Sequence, residues 1–218
     1  MQLNVGRHVL EANDRLAAEN QEIFKQNGIL VINLMSSPGA GKTSLLEKTI
    51  DLLKNRIRIG VIEGDIQSAR DAERVAKHGV PAVQIETDGA CHLDASMVRA
   101  SAQALDLKAL DLLVVENVGN LVCPAEFYVG EELRVMILSV TEGDDKPMKY
   151  PLMFRESQAL LINKIDLLPY IDCSVEKIRT EARQLNPKQT IFEISCRTGQ
   201  GLDEWCAWLE KQVALAHP

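Results

Sequence analysis

The sequence predicts an α/β fold, a doubly wound and mostly parallel sheet. Three observations predict it. Apolar runs of strand length alternate along the 218 residues with segments of helical periodicity, the pattern of βαβ units. The first run is apolar at nearly every position rather than at every second one, as a strand buried on both faces requires. Aromatic residues make up only 4%, so the core is built from Leu, Ile, Val and Ala.

The elements follow in order. Residues 5–26 place Val9, Leu10, Leu16, Ala17, Ile23 and Phe24 at helical spacing, and Asn27-Gly28 ends that helix. Residues 29–35 form the first strand. A turn-rich loop spans 36–41, and a helix is expected over 42–54. Strand 57–62, helix 71–78 and strand 82–85 come next. Helix 93–105 and strand 110–115 follow, then strands 133–140 and 159–162. Helix 175–184, strand 190–194 and a closing helix over 202–214 complete the alternation. Short, right-handed connections make a doubly wound sheet the economical solution, with ligands beyond the carboxyl ends of the strands. Residues 1–28 are expected to pack as a helix on the same domain, and 29–218 to form the nucleotide-binding domain.

Composition bounds the function. Hydrophobic residues make up 46% and charged residues 25%, which excludes disorder. Lys plus Arg number 24 against 31 Asp plus Glu, a net charge of −7. No basic tract offsets it, so no nucleic-acid partner is expected. No apolar run reaches the roughly 18 residues of a membrane span, and the amphipathic amino terminus is not a signal peptide. Cys91, Cys123, Cys173, Cys196 and Cys206 are odd in number and form no CxxC pair, which fits a reducing cytoplasm better than a disulfide scaffold.

Residues 36–43, SSPGAGKT, close the first strand and open a helix. They match G-x-x-x-x-G-K-S/T with Ser36 in place of the first glycine. Gly39 and Gly41 let the loop backbone, which also holds Ser37, Pro38 and Ala40, turn its available N–H groups toward phosphate oxygens, Pro38 itself having none. The helix amino terminus, running on into Ser44, adds a positive dipole end. Lys42 is expected to reach the β and γ phosphates and Thr43 to bind Mg²⁺. A glycine turn that merely caps a helix is the bland alternative, and the strand–loop–helix context speaks against it.

Asn163-Lys164-Ile165-Asp166 puts N-K-x-D at a strand end. This resembles the guanine-recognition motif of GTPases. There, an aspartate accepts from the guanine N1–H and exocyclic amine, a donor pair adenine lacks. Asp166 takes that role by match, Asn163 supports the loop, and the Lys164 stem packs on the base. Ser195-Cys196-Arg197 resembles the second base-side loop. Arg197 stands where many GTPases have lysine, leaving backbone contacts from Ser195 and Cys196. Asp65 and Glu116 each follow a strand and are candidates to hold Mg²⁺, directly or through water. Either one alone could be a solvated loop carboxylate. No glutamine stands where small GTPases position water, so slow intrinsic hydrolysis is expected, with Lys42, Asp65 and Glu116 as the catalytic set.

Cys91, His92 and Cys123 offer two thiolates and an imidazole, good ligands for Zn²⁺ or Ni²⁺. A fourth donor would come from water or from a second chain, and a two-fold dimer would bring two such sets together. The alternative is that both cysteines are small buried hydrophobes. Cys123 lies seven residues after Glu116, where GTPases place a nucleotide-sensitive switch. Metal affinity is therefore expected to depend on whether GTP or GDP is bound.

SSPGAGKTSLLEK, EGD, ACHLDA, ENVGNLVCP, EGDDKPMKYP and NKIDLLPY together resemble the HypB family, nickel-incorporation GTPases of nickel–iron hydrogenase maturation. The resemblance runs from the first strand onward. It implies a SIMIBI-class phosphate-loop GTPase that dimerises face to face on GTP. It also implies an interfacial Ni/Zn site at Cys91, His92 and Cys123. GTP or GDP, Mg²⁺ and Ni²⁺ or Zn²⁺ are the implied cofactors. Other maturation factors and the hydrogenase large subunit are the implied partners. Many members carry an amino-terminal cysteine motif or histidine-rich stretch. Residues 1–35 here have no cysteine and one histidine, His8, so tight nickel storage is not expected of them. His78 and His217 are expected to be solvated, and Cys173, Cys196 and Cys206 to be structural. Three other readings compete. A urease accessory GTPase would carry a C-P-H triplet. A GTPase chaperone of cobalamin-dependent mutases would carry extra helical arms. A small-molecule phosphate-loop kinase would lack N-K-x-D and carry an arginine-rich lid.

Overall fold

A computed structural model describes residues 5–65, 74–87 and 89–216, with no side chains described at 5–7 and 65. Seven strands form one parallel sheet: β1 (Leu30–Ser36), β2 (Ile59–Asp65), β3 (Ala82–Glu86), β4 (Leu112–Glu116), β5 (Leu133–Ser139), β6 (Ala159–Asn163) and β7 (Thr190–Glu193). Their spatial order is β3-β2-β4-β1-β5-β6-β7, and every described pairing is parallel. From β1 the chain runs out to β2 and β3 on one side, returns to insert β4 between β2 and β1, and then winds out through β5, β6 and β7 on the other side. The crevice at the carboxyl end of β1, between the loops after β4 and β5, is where such sheets bind ligands.

The continuous apolar runs are explained by helices on both faces. Leu30, Ile32 and Leu34 of β1 face α2 (Lys42–Leu53) and α8 (Leu202–Ala216). On the other face, Val31 meets α1 (Val5–Gln26) and α3 (Ala95–Ala102), while Met35 meets α6 (Pro151–Glu156) and α7 (Val175–Leu185). Trp205 anchors α8 on α2 by donating its indole N–H to Thr49 Oγ1 at 2.9 Å. Asn13 and Asn20 dock α1 on α3. Asn13 Oδ1 accepts from the Ala95 N–H at 2.9 Å, and Asn20 Nδ2 donates to the Ala95 carbonyl at 2.8 Å. The first of these satisfies a donor that the start of α3 leaves without an intrahelical partner.

Element limits differ from expectation for local reasons. Helix α3 starts at Ala95 because Asp94 caps it, accepting from the Met97 N–H at 2.9 Å. Strand β2 runs on to Asp65 because β3 and β4 flank it, so the ladder carries past the apolar residues. Of the helix expected over 71–78, residues 74–76 are helical, and 71–73 lie outside the described residues. Two short helices, α4 (Cys123–Glu126) and α5 (Lys146–Lys149), were not expected, nor was α6. Each opens on a proline within its first two positions, where the missing N–H costs nothing. Among the described residues, no helix is long and apolar enough to cross a membrane.

Candidate functional site

The sequence turns sharply after β1 because Gly41 takes φ 107°, a left-handed conformation that also serves as the N-cap of α2. A Cβ there would stand 2.5 Å from Asn163 Nδ2, so only glycine lets the two loops close on each other. Gly41 offers no side-chain cap, which leaves the first amides of α2 for a ligand. Lys42 donates from Nζ to Ser36 Oγ at 3.0 Å. The serine in the first-glycine position thus holds the lysine. Ser37 Oγ donates to Glu142, whose other oxygen accepts from the Ser139 N–H at 2.8 Å. Thr43 Oγ1 donates to Glu116 Oε1 at 2.8 Å.

Asn163 joins the phosphate loop to the base-side loops. Its Nδ2 donates to the Ala40 carbonyl at 2.9 Å, and its Oδ1 accepts from the Lys164 N–H at 2.8 Å and the Cys196 N–H at 3.3 Å. Lys164 is the one non-glycine described residue at positive φ, 64°, a conformation that costs an L-residue energy and needs such support. Its Nζ donates to the Gly39 carbonyl at 2.7 Å. Ser195 Oγ donates to Asp166 Oδ1 at 2.6 Å and accepts from the Thr198 N–H at 3.1 Å. Two adjoining clefts result, of about 470 Å³ over the phosphate loop and about 370 Å³ against Asp166, Leu167 and Cys196. They share Gly41, Ser44 and Lys164. Burial pushes the Cys196 thiol up to about 11, so it lines the second cleft as a neutral group.

Glu116 faces the first cleft, buried at the end of β4. Beside it in the ladder lies Glu63, also buried and also lining the cleft. Glu63 opens the EGD segment, in which only Asp65 was expected to serve a metal. Asp65 ends β2, and its side chain lies outside the described ones.

Cys91, His92 and Cys123 come together on the loops after β3 and β4. One ligand atom from each lies within 4.8 Å of the others, and among the described residues no other histidine, cysteine or acidic group clusters in this way. Cys91 Sγ is 2.9 Å from Cys123 Sγ and 3.5 Å from His92 Nδ1, and both thiols are free. The reading of these cysteines as buried hydrophobes fails, since Cys91 is exposed and Cys123 half-buried. Phe127 lies under the His92 ring, centroid to centroid 3.8 Å. Burial lowers the His92 pKa against the opposing pull of Asp94 and Glu126, favouring the neutral imidazole a metal needs. The hydrogen bond with Cys91 and then burial raise that of Cys123. Two sulfurs and an imidazole nitrogen suit a borderline transition ion.

A buried polar chain joins the two sites, and no motif in the sequence pointed to it. Asn117 follows Glu116. Its Oδ1 accepts from the Leu93 N–H, next to His92, at 3.0 Å, and its Nδ2 donates to Asn33 Oδ1 at 3.2 Å. Asn33 donates in turn to Glu131 at 3.3 Å. Arg134 bonds Glu131 at 2.7 Å and the carbonyl of Ala125 in α4 at 2.9 Å. A Cβ on Gly119 would stand 3.0 Å from the Pro38 backbone, so the loop that leads to Cys123 lies directly on the phosphate loop. The only sign in the sequence is the polar Asn33 inside an apolar strand.

The remaining candidates sit elsewhere. His78 is not simply solvated: its Nδ1 lies 2.8 Å from Asp51. His8 is exposed near Glu11, and His217 lies outside the described residues. Cys206 is buried in the core cluster on one face of the sheet, and Cys173 packs against the separate cluster on the other face.

Comparison with known proteins agrees with this architecture. Residues 30–193 match the family model "CobW/HypB/UreG, nucleotide-binding domain". The hydrogenase maturation factor HypB of Azotobacter vinelandii is 52% identical over 210 residues, 96% of this chain and 69% of that protein. The probable hydrogenase maturation factor HypB of Methanocaldococcus jannaschii is 39% identical, with 97% of this chain and 96% of that one covered. The crystal structure of HypB from Helicobacter pylori in complex with nickel superposes with a TM-score of 0.90 at 39% identity, covering 94% of this chain and 97% of that one. The C-P-H triplet of the urease accessory reading is absent. The chain belongs to the HypB family of hydrogenase maturation factors, within the CobW/HypB/UreG nucleotide-binding proteins.

Proposed function

We propose that this protein is a slow GTPase that carries nickel, or zinc in its place, and assists nickel insertion into a nickel–iron hydrogenase. The carrying observation is the clustering of Cys91, His92 and Cys123 on loops tied by Asn117 to the residue that bonds Thr43. Lys42 and the first amides of α2 bind the polyphosphate, and Asp166, oriented by Ser195, reads the guanine edge. The hydroxyl of Thr43 and the carboxylate of Glu116 are hard oxygen donors that suit Mg²⁺, with Asp65 as a further donor; bound there, the ion would neutralise phosphate charge. Water then displaces GDP from the γ phosphorus. The lack of a water-positioning glutamine supports a low rate.

Nickel is the cargo. Three donors per chain leave a position for water or for the same group on a second copy, which supports a homodimer whose two-fold axis passes between the metal sites. Other maturation factors and the hydrogenase large subunit are the partners this reading requires, in the cytoplasm. The names of the HypB relatives and the nickel-bound Helicobacter pylori structure support it. The test is dialysis against Ni²⁺ and Zn²⁺ with GDP or a non-hydrolysable GTP analogue, followed by sizing. The expected result is a metal affinity that differs between the nucleotide states by about 5-fold or more. Equal affinity and equal mass in both states would overturn the coupling.

A further inference from the structure

Arg74 lines the phosphate cleft and Glu47 the adjoining cleft, so their ion pair lies where the two meet. The guanidinium donates to both carboxylate oxygens, Nε to Oε1 at 2.9 Å and Nη2 to Oε2 at 2.6 Å. Glu47 stands one helical turn beyond Thr43 on α2, so Arg74 is held just outside the phosphate loop. The Arg74 side chain is 41% exposed. A pair that open to water contributes only about 0–1 kcal/mol, which a polyanion can displace. A phosphate group offers the forked guanidinium the same paired oxygens as a carboxylate, with more charge. Glu47 is not stranded by the exchange. His78, one turn beyond Arg74, keeps Nε2 3.8 Å from Glu47 while Asp51 anchors its other nitrogen at 2.8 Å.

The other cations of the cleft are committed differently. Lys164 spends a hydrogen bond on the Gly39 carbonyl, and Lys42 is held by Ser36. Buried Glu63 and Glu116 line the same cleft with carboxyl groups and offer a polyphosphate no cation. A polyphosphate entering it gains from a further guanidinium at the rim.

We infer that Arg74 is a phosphate-binding residue that Glu47 holds in reserve: on nucleotide entry Arg74 leaves the carboxylate for the phosphate chain, so Glu47 competes with the nucleotide for it. This rests on the guanine-nucleotide reading above. The test is titration of the full chain, with Mg²⁺, by fluorescent GDP and GTP analogues. Arg74→Ala is expected to weaken both about 10-fold, and Arg74→Lys to recover part of the loss. Glu47→Gln removes the competitor and is expected to tighten both about 3-fold. The opposite signs are decisive, because a pair that only clamps its helix to α2 would shift both variants the same way. Shifts of the same sign, or none, in variants whose melting curves match the parent overturn the inference. A parent chain that binds neither nucleotide overturns the guanine-nucleotide reading itself, and this inference with it.

Discussion

Thr43, Glu116 and Asn163 in the nucleotide cleft are 9%, 4% and 1% exposed, whereas Cys91 at the cysteine–histidine site is exposed and His92 and Cys123 are half-buried. The cleft residues are already hydrogen-bonded across the phosphate loop and the segments at the ends of β4, β6 and β7. The three candidate metal donors converge from two loops, and one of them stands open to solvent. A cleft organised before its ligand arrives loses little on binding it. A site left open on one side leaves room for a further donor and for release of an ion.

Each prediction attacks this contrast. The largest effect is expected from Lys42→Ala, which removes the one cation set inside the phosphate loop. GTP hydrolysis should fall about 1,000-fold in a phosphate-release assay, while nickel binding to the nucleotide-free protein persists. Hydrolysis that survives would show that the cleft is not where the chemistry occurs. Next, Cys123→Ser should weaken nickel binding about 100-fold in competition with a coloured chelator, with nucleotide affinity retained. Protons compete for the thiols and the imidazole, so nickel affinity of the parent should fall from about pH 8 to about pH 6. Nickel binding indifferent to the serine would remove Cys123 from the donor set. The smallest effect tests the connection. Asn117→Ala leaves the Leu93 N–H and Asn33 without their shared partner in a buried place, at a cost of about 2 kcal/mol by denaturant unfolding. It should also flatten the dependence of nickel affinity on the bound nucleotide. An undiminished dependence would mean that the two sites communicate by another route.

Much of this was legible because it is local. The strand pattern of residues 29–35, the SSPGAGKT loop and N-K-x-D each carry their meaning within a few residues. Glu63 was passed over although the EGD segment contains it, because its place beside Glu116 appears only once the strands are paired. Asn117 and Glu142 stand within ENVGNLVCP and EGDDKPMKYP, but neither those segments nor the residues around Arg74 indicate what these three residues bond. Their partners are Leu93, Ser37 and Glu47, distant in the chain and brought close only by the crossing order of the strands. The short helices after Cys123 and Lys146 were likewise hidden, because one turn is too brief for periodicity to register.

By itself, then, the order of amino acids determined the α/β class, the SSPGAGKT and N-K-x-D patterns and the identity of the candidate sulfur and nitrogen donors. These depend on residue type and short spacing, where sterics and hydrogen-bonding capacity act over one or two turns. Only the tertiary structure decided that the donors converge within 4.8 Å, that Asn117 binds both loops, and that Arg74 is held by Glu47 at the mouth of the cleft. Those facts depend on packing seven strands in the order β3-β2-β4-β1-β5-β6-β7, which places side by side groups that the chain keeps tens of residues apart.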